Sequence, residues 1–121
     1  MRLLLILALL GGSAWAQVEG DLIRQGQGVF EDNCAQCHRT NGEGLPATFP
    51  ALNQNAFVVG DPKPVIATVL NGRKGSLGQM PVWKDKLDDG QIAGVLTYIR
   101  QAWSNRAPAV TPAMVAGTRG K

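Results

Sequence analysis

The clearest pattern in the chain lies toward its C-terminal end, where Ile92, Val95, Leu96, Ile99 and Trp103 recur at helical spacing on one face. Asp88 and Gln91, just ahead of that stripe, form a capping-box-like start. A second helix is predicted after Asp61-Pro62: the aspartate can cap it, the proline suits its first position, Val65, Ile66, Val69 and Leu70 give it an apolar stripe, and Gly72 ends it. The first helix is expected from about Asp21 through Cys37, with Ile23, Phe30 and the cysteines on related faces. Gly26 and Gly28 each lower helix propensity there by about 1 kcal/mol, which implies close packing against another helix.

The intervening segments lack a usable period. Asn41 to Asn55 holds Gly42, Gly44, Pro46 and Pro50, and Gly72 to Trp83 holds three glycines with Met80 and Pro81, so both read as loops wrapped around something. Ser104 to Lys121 reads as a tail with a short turn after Thr111-Pro112. The β-branched residues cluster inside helical stripes and no alternating strand stands out, so the expected class is all-α.

Composition adds two constraints. At 121 residues, 45% hydrophobic and 17% charged, the chain fits one small domain and is too apolar for a disordered polymer. A domain of this size is marginal unaided, and Cys34 and Cys37 are too close in sequence for a disulfide between them to staple distant elements. At the N-terminus, Arg2 precedes the apolar run Leu3 to Leu10, followed by Gly11, Gly12, Ser13 and Ala14-Trp15-Ala16, the layout of a secretory signal. The run is too short to span a bilayer. The expected organisation is therefore a cleaved signal over 1–16, a domain over 17–105 and a tail over 106–121, in a protein exported to the periplasm with no membrane span after cleavage.

Charge is segregated along the chain. Residues 17–61 carry two basic and six acidic groups, whereas residues 62–86 carry five basic and one acidic. The pI near 9.2 therefore reflects a local basic block and not a nucleic-acid-binding character. That block is the candidate contact surface for an acidic partner.

Cys34-Ala35-Gln36-Cys37-His38 is a C-x-x-C-H run in a chain with an export signal, the signature of covalent c-type haem attachment. Two thiols one helical turn apart can each add to a haem vinyl group, and the next residue presents its imidazole to the iron. A thioredoxin-like pair would need a βαβ context, and a zinc site four ligands; His38 is the sole histidine.

With these residues in view, the chain resembles the class I monohaem c-type cytochromes of bacteria over nearly all of its length beyond the signal. The resemblance implies a small cytochrome c fold of three to four helices around one covalently attached haem. It implies that Gly26 and Phe30 pack on the last helix at Val95 and Tyr98, and that Pro50, twelve residues after His38, offers its carbonyl to the imidazole. Gly42 to Leu52 is similar to the corresponding run in small carriers and cytochrome subunits that feed terminal oxidases or serve dehydrogenases. The sixth iron ligand implied is Met80, in the motif Gly78 to Pro81; Met1 goes with the signal and Met114 lies in the expected tail. A lone methionine is ordinarily core filler, and the motif reverses that reading. Trp83 resembles the aromatic that lies against the haem edge in relatives, with plain core packing as its alternative.

Histidine and methionine together leave no open coordination site, and no other group forms a catalytic constellation. The expected function is periplasmic electron transfer by one haem c, in a monomer that docks with a donor dehydrogenase or quinol-oxidising complex and with an acceptor oxidase or reductase. The alternatives are a permanent cytochrome subunit of a dehydrogenase or reductase and, in a different class, a haem-based sensor or peroxidase-like enzyme.

Overall fold

The structure is a computed structural model that describes residues 11–75 and 78–120. Among the described residues six helices and a small hairpin follow in the order α1 (Gly11–Asn33), α2 (Ala35–His38), α3 (Ala56–Val59), α4 (Pro62–Asn71), β1 (Arg73–Gly75), β2 (Gly78–Met80), α5 (Asp89–Gln101) and α6 (Pro112–Arg119). The apolar run Leu3 to Leu10 lies outside the described residues, and α1 continues unbroken through the expected cleavage point after Ala16. Among the described residues no helix is long and apolar enough to cross a membrane.

The most extensive contact in the fold is between α1 and α5. It depends on glycine: a Cβ built on Gly26 would overlap the carbonyl of Gly94 and come within 2.8 Å of Val95 N, so the two backbones meet directly. Beside this crossing Phe30 is fully buried, its ring 5.5 Å from Tyr98 and 5.6 Å from Trp103. Phe30, Ile66, Leu70, Ile92 and Leu96 form the centre of the core, each contributing about 1.5–3 kcal/mol by burial.

The helix starts follow from their caps. Asp61 accepts from Lys63 N ahead of the proline at the first turn of α4, and Asp88 and Gln91 make a reciprocal capping box on α5. α5 is buried on nearly every side, including Thr97 and Arg100.

Three expectations change. The loop from Gly72 to Trp83 contains an antiparallel hairpin in which Arg73 pairs with Met80 and Gly75 with Gly78; its strands are three residues long and largely exposed, so they carry no alternating pattern to read. Of the segment expected as a tail over 106–121, residues 106–120 are described and pack as part of the fold. Val110 and Val115 are fully buried, and Thr111 opens an eight-residue α6 that packs on both α4 and α5. Trp103, read as the last residue of the helical stripe, lies beyond the end of α5 with φ of 55°.

Candidate haem site

Cys34 sits at the junction of α1 and α2, where the chain bends without losing its hydrogen bonds: Cys34 N donates to Phe30 O, and Cys37 N and His38 N both donate to Cys34 O. The single turn of α2 holds Cys37 and His38 directly after it. Both thiols are free and half-buried. Burial, with Cys37 adding to it, pushes the Cys34 thiol up to about 11, so it stays protonated at neutral pH.

His38 is oriented from across the loop. Its Nδ1 lies 3.0 Å from the carbonyl oxygen of Pro50, and because a carbonyl only accepts, Nδ1 carries the hydrogen and Nε2 the lone pair. Burial pulls the imidazole below its ordinary value, against an upward contribution from the Pro50 bond, which favours the neutral form a metal requires. Gly44 N returns to His38 O at 2.9 Å, and Leu52 N and Asn53 N both donate to Gly42 O, so the loop between His38 and Pro50 closes on itself.

Met80 ends β2 and is half-buried; a Cβ on Gly78, two residues earlier, would lie 3.4 Å from Thr48 O. The hairpin that carries Met80 thus approaches the loop that carries Pro50. Trp83 docks on the end of α4 through Trp83 N to Val69 O, followed by Lys84 N to Leu70 O. Its ring packs partly buried against the core, with Lys86 Nζ 5.4 Å above it. The candidate donors are two thiols one turn apart, one neutral imidazole with its free nitrogen unhydrogenated, and the thioether of Met80 on the hairpin that approaches the histidine loop. That chemistry fits haem c: covalent attachment through sulfur and low-spin axial ligation by nitrogen and sulfur.

Several supporting residues gave no recognisable signal at the level of motif. Trp103 donates from Nε1 to Thr40 O at 2.9 Å, and a Cβ on Gly42 would meet its ring at 2.6 Å, so the indole lies flat over the start of the histidine loop. Asn105, 2% exposed, donates to Leu52 O and Ile99 O and accepts from Gln54 N. Arg100, also 2% exposed, donates to Val58 O, Gly60 O and Pro108 O. A signal for Arg100 does exist in the sequence: it stands four residues after Leu96, on the apolar face, where a charge must find buried acceptors.

Comparison with known proteins places the chain in a family. The family described as cytochrome C oxidase, cbb3-type, subunit III matches residues 21–99. The gluconate 2-dehydrogenase cytochrome c subunit of Pantoea cypripedii is 37% identical over 104 residues, covering 78% of this chain and 24% of that protein. Cytochrome c-552 of Thermus thermophilus is 33% identical over 116 residues, covering 86% of this chain and 73% of that protein. The CcoP subunit of the cbb3-type oxidase of Azospirillum brasilense is 33% identical over 81 residues, 62% of this chain and 26% of that subunit. The chain thus spans about a quarter of the two larger relatives. It belongs to this cytochrome c family, and with the family come covalently bound haem c and electron transfer.

Proposed function

We propose that Cys34 and Cys37 hold the haem covalently, that His38 Nε2 and Met80 Sδ are its axial ligands, and that the protein is a periplasmic monomer exchanging electrons with redox protein partners. The observation that carries this reading is the His38 Nδ1 contact with Pro50 O, which fixes one tautomer and leaves Nε2 as the only ring nitrogen free to bind metal. Haem c supplies an iron that alternates between ferric and ferrous states. The chain's own part is to keep both ligands in place in either state. Pro50 holds the imidazole plane, Trp103 and Asn105 tie down the loop on that side, and the docking of Trp83 and Lys84 on α4 fixes the segment after Met80. Fixed ligands keep rearrangement small during transfer, as a fast carrier requires.

The segment that brings Met80 forward also carries Lys63, Arg73, Lys74, Lys84 and Lys86, so the partner surface in this reading is acidic. Trp83 serves as an apolar wall continuous with the core. The donor is a dehydrogenase or quinol-oxidising complex and the acceptor an oxidase or reductase. A second reading, a permanent subunit of a dehydrogenase, is favoured by the named cytochrome c subunits among the relatives; copurification with a larger chain would favour it, and a monomer on sizing the free carrier.

Intact-mass measurement of the exported protein tests the assignment. The expected product begins at Gln17 and retains one haem mass after denaturation, and Cys34→Ala with Cys37→Ala loses it. A denatured wild-type product without the adduct, made with a working haem-attachment system, would overturn the reading.

A further inference from the structure

The family match ends at residue 99, yet the chain continues into a strap, residues 106–119, that returns to the methionine side of the molecule. The strap is anchored in the core. Thr97 Oγ1 donates to Val110 O and accepts from Val110 N, Arg100 holds Pro108 O, and Val110 and Val115 are fully buried. At its far end Arg119 projects onto the segment that follows Met80. Nε donates to Asp89 Oδ1 at 2.7 Å, Nη2 to Leu87 O at 3.0 Å and Nη1 to Lys84 O.

Lys84 is thereby gripped on both sides of its peptide units, its N–H by Leu70 O of α4 and its carbonyl by Arg119 of α6. Lys84 stands four residues after Met80. Asp89 lies in the first turn of α5 and is about one-third exposed, as is Arg119, so the guanidinium is neither free on the surface nor sealed in the core. Three nitrogens on three acceptors fix the plane of the group and the separation of the two carbonyls, a geometry that a single ammonium would not reproduce.

The geometry points to Arg119 as a positioning residue for Met80: by clamping residues 84–89, the C-terminal strap governs how often the methionine leaves the iron. This rests on the assignment of Met80 as ligand. Arg119 touches neither the haem nor the iron; it acts through the loop.

The test is the rate at which imidazole binds the ferric holoprotein, since imidazole enters only when Met80 has left. Arg119→Ala is expected to bind it about tenfold faster, the factor supplied by one charge-assisted hydrogen bond, with Arg119→Lys between it and the wild type. Val29→Ala, which opens a cavity in α1 away from the strap, supplies the comparison for a purely global loss of stability and is expected to leave the rate near that of the wild type. An unchanged rate in Arg119→Ala, or a rise no larger than Val29→Ala gives, would overturn the positioning role. Met80→Ala separates the two levels. If it leaves imidazole binding unaltered, the ligand assignment fails; if it accelerates binding while Arg119→Ala does not, only the role of Arg119 fails.

Discussion

Two methionines remain beyond the expected signal, and their surroundings differ in kind. Met80 ends the hairpin half-buried, whereas Met114 is 37% exposed and its sulfur already accepts from Thr111 N at the start of α6. Met80→Ala is therefore expected to abolish the weak near-infrared sulfur-to-iron band of the ferric protein and to lower the reduction potential by on the order of 100 mV, because a soft thioether favours ferrous iron. Met114→Ala should leave both the spectrum and the potentiometric titration as they are. Cys34, Cys37 and His38 stood out in the sequence as candidates because attachment chemistry demands that spacing. Asn105 and Arg119 did not, since each acts through backbone carbonyls brought near by folding, and a carbonyl leaves no mark in a sequence.

At the level of elements, Gly26 and Gly28 of α1 make opposite predictions. Gly26→Ala must separate α1 from α5 at Gly94 and should cost about 3 kcal/mol in a urea titration of the holoprotein. Gly28→Ala, whose new methyl meets nothing within 4 Å, should instead stabilise by up to about 1 kcal/mol. The stripes of α4 and α5 were legible because each is anchored by a local cap and spans two turns or more. α6 was not: apart from Val115 its core contribution comes from outside the helix, and what draws it in is the pairing of Thr97 with Val110 across thirteen residues. Trp103 misled in the other direction. Its spacing continues the stripe of α5, but the helix ends at Gln101 and the ring is aimed by a left-handed backbone instead.

For the molecule as a whole, charge is arranged around the methionine side. Arg73 stands directly across the hairpin from Met80, stacked 5.2 Å from the ring of Phe57, and Lys84 and Lys86 follow on the next segment. Glu19, Asp21, Glu31 and Asp32 are carried by α1. A separation of this sign should orient the protein toward an acidic site and raise the association rate more than the affinity. The bimolecular electron-transfer rate with a native partner is expected to fall as salt shortens the screening length, to about 10 Å at 0.1 M, and to fall further in Lys84→Glu with Lys86→Glu. A rate flat in salt and indifferent to both reversals would place docking elsewhere.

The acceptors chosen by Arg100 set how the protein meets acid. They are the carbonyls of Val58, Gly60 and Pro108, which take up no proton in the physiological or mildly acidic range. Burial lowers the guanidinium's own affinity for its proton, with the nearby charge of Asp61 opposing, yet arginine remains cationic throughout that range. Arg119 is built otherwise, since one of its three acceptors is the carboxylate of Asp89. Acidification therefore leaves the knot under α5 as it was. The ion pair of Arg119 with Asp89, about one-third exposed, answers to salt instead, and raised ionic strength is expected to weaken that clamp while the Arg100 knot holds.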